Sequence, residues 1–172
     1  YVESVDVNRA LDDCLVLVTH LLAHTRIEVV RDLQARERAG INRQELQQVL
    51  VNLLVNAIQA MPDGGTLTLR TRDGSGSDGL PGLVLTVEDT GPGLTPESLE
   101  RLFRPFFTTK NDGNGLGLWI SQGLVERYGG QLSARNRQPL PGAAFEVRLY
   151  TEPQAPRESG APTNNGRPLL DS

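Results

Sequence analysis

Asp89 heads a glycine-rich pentad, Asp89-Thr90-Gly91-Pro92-Gly93. A second cluster, Gly113-Asn114-Gly115-Leu116-Gly117, follows a phenylalanine-rich stretch from Leu102 to Lys110. The apolar run Leu83 to Val87 puts Asp89 at a strand end, where glycine lets the chain turn. The second cluster opens an amphipathic segment beginning at Leu116. Glycines just before a helix leave its first amides unblocked, and those amides with the helix dipole attract phosphate. A carboxylate and a phosphate cradle about 20 residues apart describe one ligand with a hydrogen-bonding base and an anionic tail. The ordered set predicts a nucleotide pocket, with Thr95 to Asp112 as its mobile lid.

A second constellation lies upstream. On a helix, Glu45, Gln48, Asn52, Asn56 and Gln59 fall within about 80° of one another, and apolar residues such as Val49, Leu50, Leu53 and Leu54 fill the other faces. A solvated face of an ordinary amphipathic helix is one explanation. Solvated faces favour Lys and Glu, however, and this one carries amides in its central turns. Val49 and Val55 crowd Asn52 and Asn56 toward partial burial, and buried amides need partners. A hydrated Mg²⁺ between protein oxygen and phosphate would serve, since Mg²⁺ keeps several waters and takes few protein ligands.

The elements that must position these groups follow from period and punctuation. Asp6 to Ala23 reads as a helix capped by Asp6 or Asn8, with Leu11, Leu15, Val18 and Leu22 as its stripe. Ile27 to Leu33 alternates as a half-buried strand does. Arg43 to Met61 is the strongest helix, stopped at Pro62-Asp63-Gly64-Gly65. Strands are expected over Thr66 to Thr71 and Leu83 to Glu88, joined by a flexible connector from Asp73 to Gly79. Pro96 to Leu102 predicts a short helix within the lid. Leu116 to Tyr128 predicts a helix closed by Gly129-Gly130, with Trp119 and Tyr128 as packing residues. Gln131 to Asn136 and Ala144 to Tyr150 close the set as an antiparallel pair. The sum is an α/β two-layer sandwich, about three helices covering one face of a mixed, mostly antiparallel sheet.

Residues 1–150 therefore read as one domain, and 151–172, rich in Pro, Gly, Asn and Ser, as a disordered tail or linker. The 172 residues carry a formal charge of -4 and no cluster of Lys and Arg, which argues against a nucleic-acid partner. Cys14 is the single cysteine. It excludes an internal disulfide framework, fits a reducing compartment, and lies on an apolar face. No signal peptide or apolar run of about 18 residues appears, so no membrane contact is expected. A start at Tyr1 rather than Met points to a fragment of something longer.

The order Asn-x-x-x-Asn helix, Asp-x-Gly-x-Gly, phenylalanine-rich lid and Gly-x-Gly-x-Gly resembles the ATP-binding domain of sensor histidine kinases. These belong to the GHKL (Bergerat) superfamily with gyrase B and MutL. The likeness runs from about Asp6 to Tyr150, and Pro105 to Lys110 particularly resembles the nitrogen-regulation and dicarboxylate-sensing branch. The resemblance implies Asn56 as Mg²⁺ ligand and Asn52 as its companion one turn earlier. It implies Asp89 as the adenine-recognising carboxylate, with Gly91 and Gly93 admitting the base. Phe103, Phe106 and Phe107 resemble the F box, and Lys110 a lid cation near the phosphates. Gly113, Gly115, Leu116 and Gly117 resemble the phosphate loop. Phenylalanine could equally be core, and Lys110 a solvated surface charge.

The resemblance implies MgATP as ligand and transfer to a histidine on a separate dimerisation hairpin, with a response regulator downstream. It also implies a cytoplasmic site of action, including the cytoplasmic part of a membrane-anchored sensor. Water-splitting members carry glutamate where this chain has Asn52, which offers no base. Hydrolysis is therefore expected to be poor. Neither His20 nor His24 resembles the family's phosphoacceptor motif, and both are expected to be surface or structural histidines. The rival readings are a hydrolysing GHKL ATPase and a nucleotide-binding scaffold or sensor without phosphotransfer.

Overall fold

The computed structural model describes residues 1–74, 78–106 and 117–156. Asp6 caps α1 (Val7–Leu17), its Oδ1 accepting from the Arg9 amide at 3.2 Å. Asn8 is drawn elsewhere: its Nδ2 donates to the Ala35 carbonyl, and its Oδ1 accepts from the Thr71 hydroxyl. The single helix expected from Asp6 to Ala23 is in fact two, because α1 ends at Val18 and α2 (Thr19–Leu22) is a separate turn. Val16, Val18 and Thr19 are β-branched, and the Thr19 hydroxyl donates to the Leu15 carbonyl at 3.0 Å. Both features weaken a helix there. Leu11, Cys14 and Val18 are buried nonetheless. Burial, with Asp13 adding to it, pushes the Cys14 thiol up to about 11, which fits a packing role.

Two three-residue strands, β1 (Glu3–Val5) and β3 (Ala39–Ile41), pair antiparallel as a separate ribbon. Between them runs β2 (Ile27–Leu33). The helix α3 (Arg43–Gln59) follows, capped by Asn42, whose Oδ1 accepts from the Glu45 amide at 3.0 Å. The main sheet adds β4 (Gly65–Asp73), β5 (Gly82–Glu88), β6 (Gln131–Asn136) and β7 (Ala143–Tyr150). Its order is β2-β4-β5-β7-β6, with β2 and β4 parallel and every other neighbour antiparallel. The short α4 (Pro96–Arg101) and then α5 (Gly117–Arg127) lie between β5 and β6 in sequence. This is the open, mixed α/β sandwich expected.

Leu46, Leu50, Leu53 and Leu54 of α3 are fully buried, as are Leu67, Leu69, Leu83 and Leu85 on the sheet face below. Truncating one such leucine to alanine costs about 2–5 kcal/mol. The other sheet face is charged: Arg70 Nη1 lies 3.1 Å from Asp32 and Arg70 Nε 3.4 Å from Glu88. Past Tyr150, the residues read as the start of a tail stay on the domain. The Gln154 amide donates to the Tyr128 carbonyl at 2.9 Å, and the Thr151 hydroxyl donates to Glu37. Among the described residues no helix is long and apolar enough to cross a membrane.

Candidate nucleotide site

The polar stripe on α3 resolves into two parts. Its first half is a seam to α5, which runs antiparallel to α3. Glu45 accepts from Arg127 Nη1 at 2.6 Å and from the Tyr128 hydroxyl. Asn52 Nδ2 donates to Ser121 Oγ at 3.0 Å and to the Gly117 carbonyl at 3.4 Å. Ser121 is fully buried, so the Asn52 amide satisfies a hydroxyl that water cannot reach. The Tyr128 hydroxyl is pushed above its usual range, first by burial and then by the hydrogen bond and charge of Glu45.

The second half of the stripe faces a cavity. Asn56 and Gln59 line a hollow of about 620 Å³ between the end of α3, the Asp89–Gly93 loop and the start of α5. That volume lies within the range of small-molecule and cofactor sites, about 300–1,000 Å³. Met61, Leu94, Leu102, Leu118 and Phe145 give it apolar walls, and Asn56, Asp63, Asp89 and Thr90 supply polar groups. A flat heteroaromatic base fits such walls, provided its edge meets a hydrogen-bonding partner.

Asp89 is the buried carboxylate among those polar groups. It is 2% exposed, yet lines the cavity. Its Oδ1 accepts from the Gly91 amide at 2.9 Å and from the Ala143 amide at 3.3 Å. Its own amide donates to the Ala143 carbonyl at 3.0 Å, extending the β5–β7 ladder by one step. The carboxylate is thus held from both strands and by the glycine loop. Gly91 and Gly93 both line the cavity. Thr90 is pinned beside them, its hydroxyl accepting from the Thr66 amide at 2.9 Å and its amide donating to Met61 Sδ at 3.4 Å.

The segment expected to be a lid begins with α4, capped by Thr95, whose Oγ1 accepts from the Ser98 amide at 3.0 Å. Phe103 packs edge-on against Phe145 with ring centroids 6.4 Å apart, backing the cavity wall. Phe106 behaves differently, being 74% exposed at a backbone φ of 65°. Phe107, Lys110, Gly113, Gly115 and Leu116 lie outside the described residues. Gly117 begins α5 opposite Asn52, and Leu118 one residue on lines the cavity. Trp119 is half exposed rather than packed, because Ser121, Leu124 and Val125 take the buried side of α5. His20 and His24 are exposed, as expected.

Sequence reasoning missed Met61, Leu94, Leu102, Ala143 and Phe145 as walls of the site. Each reads locally as ordinary core or loop, and only the sheet register brings Ala143 to Asp89. Among the described residues no cluster of three His, Cys, Asp or Glu could hold a metal. A dedicated metal cage is therefore absent there. The amide of Asn56 on the cavity wall fits a hydrated Mg²⁺, which needs one or two protein oxygens and draws its other ligands from phosphate and water.

Residues 41–153 match the family model described as histidine kinase-, DNA gyrase B-, and HSP90-like ATPase. The sensor histidine kinase ZraS of Klebsiella oxytoca is 36% identical over 160 residues, covering 92% of this chain and 33% of that protein. The C4-dicarboxylate transport sensor protein DctB of Rhizobium meliloti (strain 1021) is 43% identical over 110 residues, 63% of this chain and 17% of that protein. The chain thus spans a third or less of these relatives. Among solved structures, the catalytic domain of histidine kinase ThkA superposes with a TM-score of 0.79 at 28% identity, covering 89% of this chain and 97% of that one.

Proposed function

We propose, since this chain belongs to the histidine kinase-, DNA gyrase B-, and HSP90-like ATPase family, that it holds MgATP and presents the γ-phosphate to a histidine on a separate dimerisation hairpin. The observation that carries this reading is the buried Asp89 carboxylate in an apolar-walled cavity. A carboxylate accepts from the exocyclic amine of adenine and repels the carbonyl that guanine carries at that position. In this reading the Gly91–Gly93 loop admits the base edge, and the first turn of α5 from Gly117 meets the phosphates through its amides. Lys110 and the glycines 113, 115 and 117 complete the phosphate side in this reading.

Mg²⁺, when bound, neutralises charge on the phosphates and orients them, and Asn56 is the residue that would hold it. This chain's remaining contribution is positioning. Asn52 takes no part in activating water: an amide has no basic pair, and its nitrogen is committed to Ser121 and Gly117. That supports transfer to an imidazole over hydrolysis. ATP is a cytoplasmic ligand, so the domain acts there, as the cytoplasmic part of a sensor whose phosphoryl group passes on to a response regulator.

Calorimetric titration with ATP, ADP and GTP tests the reading. ATP and ADP are expected to bind and GTP not. Asp89→Asn, which loses an ionised acceptor, is expected to weaken ATP binding by about 10–100-fold. Equal affinity for GTP, or an unchanged affinity in the variant, would remove Asp89 from base recognition.

A further inference from the structure

The base-contacting loop is held at both ends by one hairpin. Asp89 leads into the loop and Leu94 leads out of it. Asp89 is gripped by Ala143, through the two backbone contacts to its amide and carboxylate. Leu94 is gripped by Asn136, whose Oδ1 accepts from the Leu94 amide at 2.7 Å and whose Nδ2 donates to the Leu94 carbonyl at 2.9 Å. Asn136 and Ala143 are cross-strand partners at the end of β6 and β7. One rung of the sheet therefore sets the separation of the loop's two ends.

Two glycines allow this close approach. Gly93 has φ 81°, and a Cβ there would stand 2.9 Å from Asn136 Oδ1. Gly142 has φ 113°, and a Cβ there would press on the backbone of Asp89 and Thr90. A side chain at either position would be strained and would push hairpin and loop apart.

We propose that Asn136 is a positioning residue for the nucleotide base, acting through Leu94 from outside the cavity. This rests on the reading of the cavity as an adenine-nucleotide site. Only a side chain that carries an acceptor and a donor side by side can bond both groups of one residue. The primary amide does so, and a neutral carboxyl has the same shape and polarity. An ionised carboxylate does not, because its second oxygen would face the Leu94 carbonyl with nothing to donate.

Titration of the chain with ADP, alongside thermal unfolding without ligand, tests this. Wild-type binding checks the underlying reading separately, and absence of wild-type binding would end both. Asn136→Ala loses two neutral hydrogen bonds and is expected to bind ADP about 5–50-fold more weakly. Its Leu94 amide should exchange faster with solvent, while core amides keep their protection. Asn136→Asp is expected to bind as weakly at pH 8. A residue that merely stabilised the fold would lower the unfolding temperature and leave the ADP affinity of the folded protein unchanged. If Asn136→Ala does not fold, Asn136→Asp alone decides. ADP affinities of the folded variants within twofold of wild type at pH 8 overturn the proposal.

Discussion

Asn56 and Asn52 stand one turn apart on one stripe, yet they face different surroundings. Asn52 spends its amide nitrogen on Ser121 and Gly117 and so ties α3 to the start of α5. Asn56 lies on the cavity wall. If its oxygen acts through Mg²⁺, the Asn56→Ala variant should lose ATP affinity chiefly when the metal is present. Titrations of that variant with and without a chelator should nearly coincide, whereas those of the wild type separate. An equal loss in both conditions would make Asn56 structural. Chemistry-bearing residues were the most legible part of this sequence, since Asp89, Gly91 and Gly93 all reach one cavity. Asn136 was not legible, because its partner Leu94 lies 42 positions away and nothing local distinguishes it from any strand-end asparagine.

Among elements, long periodic ones could be read and short ones could not. The helix from Arg43 ends within two residues of its expected limit, because Asn42 and the Pro62–Gly65 stop mark both ends. The strands β1 and β3 carry three residues each, too few for any period, and pair only across α1 and β2. The break at Val18 was hidden for the opposite reason, since its apolar stripe continues through it. The seam between α3 and α5 was read as a stripe but not as a contact. Glu45 sits at the third position of α3, where a capping glutamate could turn back to its own helix start. It reaches to Arg127 and Tyr128 instead. The Arg127 pair is largely solvated and contributes little; the buried Tyr128 hydroxyl matters more. Glu45→Ala leaves that hydroxyl without its acceptor, at a cost of about 1–3 kcal/mol. The Tm is expected to fall by roughly 3–10 °C. Adding Tyr128→Phe should then cost little more, as coupled partners do. Fully additive losses would show that the two residues act independently. Affinity for ATP should change far less than in Asp89→Asn, since Glu45 lies at the opposite end of α3 from the cavity.

At the scale of the whole molecule, the two histidines of this chain stand apart from the candidate nucleotide site. Phosphoryl transfer needs the acceptor nitrogen about 3–3.5 Å from the γ-phosphorus and in line with the leaving oxygen. The chain's two histidines are His20, within the short α2, and His24, just after it, and both are exposed. Neither lines the cavity. α1, with Leu11 and Cys14 buried, packs against α3, and α2 meets α3 as well, so carrying either histidine to the phosphate would require that packing to come apart. Under the proposed function, neither the two histidines nor Asn52 among the described residues offers bound ATP an acceptor or an activated water. Incubated alone with γ-labelled ATP, the chain is therefore expected to bind nucleotide, incorporate no acid-labile phosphate and release little inorganic phosphate. Supplying the dimerisation hairpin of its parent as a separate polypeptide should restore labelling in trans, on the hairpin histidine and not on this chain. Asp89→Asn should lower that labelling in proportion to its loss of ATP affinity. Phosphate on His20 or His24 would show that the acceptor lies inside the domain. Rapid hydrolysis without the hairpin would return the chain to the ATPases of its family.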